Sequence, residues 1–160
     1  MNIFAVSADP VDCARALDDR RLVKMVLETA QLLSAAAGAR PDLLSRPVDA
    51  AALYRPTHLA HPVSRWVREN GVHFRWTCRL LEALLAEYTH RFGREHACRR
   101  IAEVLSFPDT AAPPPTAWCN CTPYPALPAF EAYRTTLNDK WAVDHPTPTW
   151  RDRGPPSWRH

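Results

Sequence analysis

Between Asp18 and Ala37 the apolar residues Leu22, Val26, Ala30 and Leu33 return every three or four positions. That period is the helical one, so the run predicts an amphipathic helix with its apolar stripe turned inward. Gly38 is the expected stop. Such a stripe needs partners, and the chain offers other helical runs. "SADPVDCARAL" opens a short helix, with Asp9 as cap and Pro10 at the first helical position. "HLAHPVSRWVREN" starts another at Pro62. It runs, with or without a break at Gly71, through "FRWTCRLLEALLAEYTHRF" to Gly93. "REHACRRIAEVL" and "PAFEAYRTTLNDKWAV" supply two more, while "MNIFAV" reads as a short extended apolar start.

Sixteen prolines against four glycines predict stiff, extended connections rather than flexible ones. "ARPDLLSRPVDAAALYRPT" is expected to be a loop with one helical turn. "FPDTAAPPPTAWCNCTPYPALP" is expected to lie extended over the surface. The fold class expected is all-α or mostly α: one compact domain spanning residues 1–160, in which 145–160 is an extended basic and aromatic tail packed on the rest. A length of 160 residues and a hydrophobic share of 46% suit one buried core. No membrane span is expected, because no long apolar run is free of charge, and no secretory signal is seen at the start. Five cysteines, an odd number without framework spacing, point to a reduced, cytoplasmic setting. A net charge of +3 permits a polyanionic partner without requiring one.

Several residues invite a chemical reading. Arg21, Lys24, Glu28 and Gln31 fall at steps of three, four and three and so form one polar stripe. That stripe is either a solvated face with a weak Lys24–Glu28 pair or one wall of a cleft with Glu28 as acid or base. His58 and His61 precede Pro62. At the cap of the Pro62 helix, His61 would be held neutral by the local field, which suits proton transfer or phosphate binding; it would equally serve as a plain cap. Glu87 and His90 form a Glu-x-x-His pair, which is either a surface pair or part of a metal site. Cys119 and Cys121 fit a soft metal poorly without a second pair. Arg134, Lys140, Trp150, Arg151, Arg153, Trp158 and Arg159 alternate cations with rings, which suits nucleic acid or a tail that covers core surface.

The order of three motifs carries a resemblance. "DDRRLVKMVLE", then "HP" with Trp66, then "LNDKW" and "PTPTW", resembles the pyrimidine-dimer DNA glycosylase family, of the phage-type endonuclease V fold. In that family a basic or histidine position stands seven residues ahead of the catalytic glutamate, as Arg21 stands to Glu28. A histidine shortly precedes a long helix with an aromatic five positions on, as His61 and Trp66 do here. "LNDK" (137–140) and "PTW" (148–150) resemble its C-terminal pattern. The chain is also similar to short phage-encoded and bacterial proteins of unassigned role that share "VKMVLETAQLL" and "EYTHR".

The resemblance implies a base-excision enzyme for a damaged or modified pyrimidine, with an AP-lyase step within reach of the same chemistry. The N-terminal amine, here that of Met1, attacks the sugar C1′ as the nucleotide is extruded, and Glu28 manages the protons. His61 joins them at the catalytic centre, and Arg21, Lys24, His58, Arg65, Lys140 and Trp150 hold the DNA. No metal or other cofactor is implied; the partner is DNA or a nucleotide, no membrane is involved, and a monomer is expected. Two positions depart from the family: bulky Asn2 follows Met1, and Leu27 stands where the family has an arginine, which Arg65 or Arg68 would replace. Two alternatives stand beside this reading. One is a metal-dependent enzyme holding iron or zinc with some of Glu28, His58, His61, Glu87 and His90. The other is a non-enzymatic nucleic-acid-binding module that uses the tail.

Overall fold

The computed structural model describes residues 2–105 and 113–160. Six α-helices follow one another among the described residues: α1 (Pro10–Ala16), α2 (Asp19–Ala39), α3 (Pro62–Glu69), α4 (Gly71–Phe92), α5 (Arg99–Val104) and α6 (Ala129–Val143). Short 3-10 turns occupy Pro41–Leu43 and Ala50–Ala52, and no strand occurs among the described residues. The mostly α fold expected from the sequence is the one observed.

The helix starts follow from capping chemistry. The side chains of Asp9, Asp18 and His61 accept from the backbone N–H groups of Val11, Arg21 and Val63. Each satisfies a donor that the first turn leaves without an intrahelical partner. Gly93 ends α4 at φ 65°, a left-handed geometry that glycine adopts without penalty.

Three expected boundaries moved. Gly38 does not end α2 but lies inside it; the helix runs to Ala39 and stops before Pro41, whose ring cannot continue it. The long run from Pro62 does break, at Asn70 rather than at Gly71. Asn70 is extended, and its Oδ1 accepts from the N–H groups of Val72 and His73, so it starts α4 afresh. The helix expected over "REHACRRIAEVL" is confined to Arg99–Val104. Of the proline-rich segment, residues 106–112 lie outside the described residues; from 113 onward it carries no regular structure up to α6.

The core is one cluster. α2 packs on α4, α1 lies on α4, and α3 closes against both long helices. Leu22, Met25, Val26, Ala30 and Leu33 of α2 are buried, so the periodic stripe faces inward as expected. By length and composition α2 could cross a membrane, but its apolar side is taken up by this core. The extended start is also inside: Ile3, Phe4, Ala5 and Val6 are buried. The start is tied to α4 by the Trp76 indole N–H on the Ala8 carbonyl (2.8 Å) and to α6 by Arg134 Nε on the Val6 carbonyl (3.0 Å).

The tail packs back on this body. Trp150 is only 7% exposed, its indole N–H donates to the Ala16 carbonyl (3.1 Å), and its ring meets Trp141 edge-on. Trp158 stacks on Trp141, with centroids 5.5 Å apart. Arg153 Nη2 reaches Glu87 Oε2 (3.0 Å), and Glu87 Oε1 also accepts from Arg91 Nε (2.7 Å). The Arg91 side chain is fully buried and donates further to Leu17 O, Arg15 O and Asp19 Oδ1. Burial pushes the Glu87 carboxyl up, but hydrogen bonds from Arg153 and Arg91 outweigh it and hold the group below the ordinary glutamate range.

Glu87→Ala leaves Asp19 as the remaining carboxylate on the buried Arg91 and is expected to cost about 1.5–3 kcal/mol, read by urea unfolding. Because the folded pKa is depressed, Glu87's contribution is full above the ordinary glutamate value and is lost as pH falls through the lowered one. The variant's stability is therefore expected to depend less on pH than the wild type's in that acid window.

Candidate active site

Glu28 stands on the third turn of α2 with 16% of its side chain exposed, so it borders solvent without projecting into it. Its Oε2 accepts from the backbone N–H of Asn2 (3.1 Å), and its Oε1 lies 3.4 Å from Lys24 Nζ. The Lys24 side chain is 71% exposed, so the ion pair is a weak one. The bond to Asn2 crosses 26 residues of sequence and fastens the start of the chain to this carboxylate.

A local device aims Asn2. Its Oδ1 accepts from the N–H groups of Ile3 (2.8 Å) and Phe4 (3.1 Å), which folds the chain into a tight turn. Phe4 consequently sits at φ 40°, a region that a bulky L-residue avoids. Its ring is held by edge contact with Tyr133 of α6, centroids 6.2 Å apart. Residue 1 lies outside the described residues, so the expected role of Met1 is not placed. Covalent geometry alone keeps an α-amine on that residue within about 4 Å of the Asn2 nitrogen.

His61 belongs to the same neighbourhood. Its Nδ1 accepts from Val63 N–H (3.2 Å), so the neutral ring carries its proton on Nε2. Its own N–H donates to the His58 carbonyl (2.9 Å), closing a turn in which His58 has φ 53°. Burial lowers the His61 pKa first; the positive charges of the N-terminus and His58 add to this, and the Glu28 carboxylate opposes it. Glu28 and His61 are thus near enough to act on one another electrostatically. Among the described residues, two of the three non-glycine residues with positive φ, Phe4 and His58, thus flank the Glu28–His61 neighbourhood. Strain of this kind persists where surrounding structure over-determines the backbone, as functional sites often require.

The other site residues divide. His58, Lys24 and Arg65 are exposed on the same part of the molecule as His61 or Glu28 by sequence and helix position. Arg65 lines an open hollow of about 620 Å³ with Arg40, Pro62, Trp66, Arg68 and Glu69, and Pro62 directly follows His61. Arg40 is engaged by Asp42, which leaves Arg65 and Arg68 as the cations facing that hollow. Arg21 is engaged elsewhere: its Nη1 donates to Asp18 Oδ2 (2.7 Å) and Asp144 Oδ2 (2.6 Å). Lys140 is exposed on α6 and acts electrostatically on the same Asp144. Trp150 has its ring inside the protein, as described above.

The metal set is not brought together. Glu87 is held by two arginines and His90 is exposed on α4. Among the described residues, no three His, Cys, Asp or Glu side chains are placed to hold one metal ion. Sequence reasoning missed Asn2 as the turn-former that aims the chain start; an Asn ahead of an apolar extended run was the available signal. It also missed Asp144, whose partner lies 123 residues away.

Glu28, the backbone of Asn2 and the His61 cap thus share one electrostatic neighbourhood near exposed cations of a mostly helical body. Residues 1–100, well over half of the chain, match the family described as pyrimidine dimer DNA glycosylase. The chain belongs to that family. No curated protein and no solved structure matches it.

His61 is expected to titrate below an ordinary histidine when its ring is followed by NMR. Glu28→Gln is expected to lower the midpoint further, because it removes the one charge that raises it. Since the folded ring resists protonation, its contribution to stability is full above the ordinary histidine value and falls as pH drops through the depressed one.

Proposed function

We propose that the protein excises a damaged or modified pyrimidine from DNA, with Glu28 as the proton-handling carboxylate and the α-amine at the chain start as nucleophile. The observation that carries this reading is the hydrogen bond from Asn2 N–H to Glu28 Oε2 at 3.1 Å. It fastens the backbone of Asn2 to a carboxylate, one residue from the amine that this chemistry uses. Asn2 is bulky enough to slow removal of Met1, so the attacking amine in this reading is that of Met1.

The unperturbed pKa of an α-amine is about 7.7–8.0, so a useful fraction is neutral near pH 7. The amine lone pair forms a bond to C1′ while the glycosidic bond breaks and the base departs with its electrons. Glu28 takes the proton released from nitrogen and passes it to the ring oxygen O4′ as the C1′–O4′ bond opens, which leaves an iminium whose charge the again-ionised carboxylate stabilises. Neutral His61, with a proton on Nε2, is suited to donate to the departing base. The iminium makes the C2′ proton acidic, so strand cleavage by elimination is open to the same intermediate. Lys24, His58, Arg65 and Arg68 meet the phosphates, and Lys140 extends the basic surface beyond Asp144. In this reading the working unit is a monomer acting on DNA in the cytoplasm, without a metal and without a membrane.

Borohydride added to protein and a duplex carrying a pyrimidine dimer or an abasic site is expected to trap a covalent adduct on Met1. Glu28→Gln is expected to reduce base excision by about 10²–10⁴-fold. An uncleaved N-terminal extension is expected to abolish trapping, while the same extension at the C-terminus leaves it intact. Full trapping with the N-terminal extension would refute amine catalysis.

A further inference from the structure

Cys119 and Cys121 stand apart from the Glu28 site, and nothing in the proposed excision uses them. Their sulfurs lie 3.2 Å apart. The three remaining cysteines have other surroundings: Cys13 and Cys98 are buried, and Cys78 lies on α4 with its thiol pushed up by burial. Cys119 and Cys121 are half-buried, as Cys78 is, but they are the pair whose sulfurs lie beside one another.

The loop that carries them is held at both ends of its central residue. Tyr133 Oη donates to the Cys119 carbonyl (2.7 Å) and accepts from Cys121 N–H (3.4 Å). Asn120 Oδ1 accepts from Thr122 N–H (3.1 Å) and Thr122 Oγ1 (2.7 Å), while its Nδ2 donates to Tyr124 O (2.9 Å) and Leu127 O (3.3 Å). The backbone therefore presents both thiols on one side of a fixed turn. To bond, the sulfurs must close from 3.2 Å to about 2.05 Å.

We propose that Cys119 and Cys121 form a reversible dithiol–disulfide site that exchanges with small-molecule disulfides of the glutathione type. Burial, then the hydrogen bond shared with Cys121, pushes the Cys119 thiol up to about 12, so exchange begins at Cys121. Its thiolate bonds to one sulfur of the small disulfide and expels the other half as a thiol. Cys119 then bonds to the Cys121 sulfur and expels the second half. Two protein thiols are oxidised to one disulfide, and the small disulfide is reduced by two electrons to two thiols that carry away both protons. The closed loop contains a single intervening residue, so the bond gains little from chain entropy, and a bond in so tight a turn belongs to the labile class. Reduction is correspondingly easy, which makes the site reversible.

The state of the pair has an optical reporter. Trp118 precedes Cys119, stacks on Trp66 with centroids 5.8 Å apart and meets Trp76 edge-on at 4.9 Å. Trp66 in turn donates its indole N–H to the Ala117 carbonyl (3.0 Å).

The test uses the reduced, folded, full-length protein, treated with oxidised glutathione, then blocked with iodoacetamide and peptide-mapped. The expected result is a peptide holding Cys119 and Cys121 that is two hydrogens lighter and carries no alkyl group. Cys13, Cys78 and Cys98 stay as thiols, and tryptophan fluorescence changes and returns on adding dithiothreitol. Cys119→Ser is expected to stop at a stable glutathione adduct on Cys121. Alkylation of both Cys119 and Cys121 in the treated wild type would overturn the proposal. So would a persistent glutathione adduct on the wild type, or a disulfide involving any other cysteine.

Discussion

Two adjacent buried carboxylates, Asp18 and Asp19, hold the molecule together. A carboxylate removed from water is costly unless donors surround it, and here each has several. Asp18 caps α2 through Arg21 N–H (3.1 Å), and its other oxygen takes Arg21 Nη1 and the Trp141 indole N–H (2.8 Å). Asp19 accepts from Thr149 Oγ1 (2.7 Å), Arg151 N–H (3.1 Å) and Arg91 Nη1 (3.2 Å), and its own N–H donates to the Thr149 carbonyl (2.8 Å). α4, α6 and the tail are therefore all fastened to one end of α2. That attachment also sets the rotation of α2 about its axis, and with it the side on which Glu28 emerges.

What could be read from the sequence is what local physics decides. Asp9 before Pro10, Asp18 ahead of the apolar run, His61 before Pro62 and Gly93 at the end of α4 all act within a few residues, and each boundary fell where its chemistry put it. Gly38 misled because the last turn of a helix tolerates glycine at a cost of about 1 kcal/mol, and Pro41 sets the stop instead. The polar stripe Arg21–Lys24–Glu28 was visible, but its division was not. Arg21 is taken by Asp144 and Glu28 by Asn2, and both partners are distant in sequence. The tail tryptophans show the same limit. A Trp beside arginines reads alike whether it stacks on a base or fills a core, and Trp150 sits with its indole N–H on Ala16.

In the proposed reading, fixing the chain start is the unusual demand that the site makes on the fold. Terminal residues are ordinarily loose, because few contacts order them. Here Ile3 through Val6 are buried, Trp76 and Arg134 hold the backbone that follows, and the Asn2 side chain turns the first residues onto Glu28. The left-handed Phe4 is the conformational cost of that turn, of order 1–3 kcal/mol, and burial of its ring against Tyr133 offsets it.

The distribution of cations follows from the same economy of roles. Arg21 bridges Asp18 and Asp144, so moving its guanidinium to a phosphate would leave Asp18 short of a charged partner inside the protein. Leu27, beside the carboxylate, carries no charge at all. Positive charge near Glu28 and His61 must then come from side chains that the fold does not otherwise use. Lys24 is held only by a weak, exposed pair, and Arg65 and Arg68 line the hollow next to the His61 cap. An anion gripped there would be clasped between α2 and α3 rather than along α2 alone. The crossing of those two helices, set by the core beneath them, would then decide where a phosphate lies relative to the carboxylate.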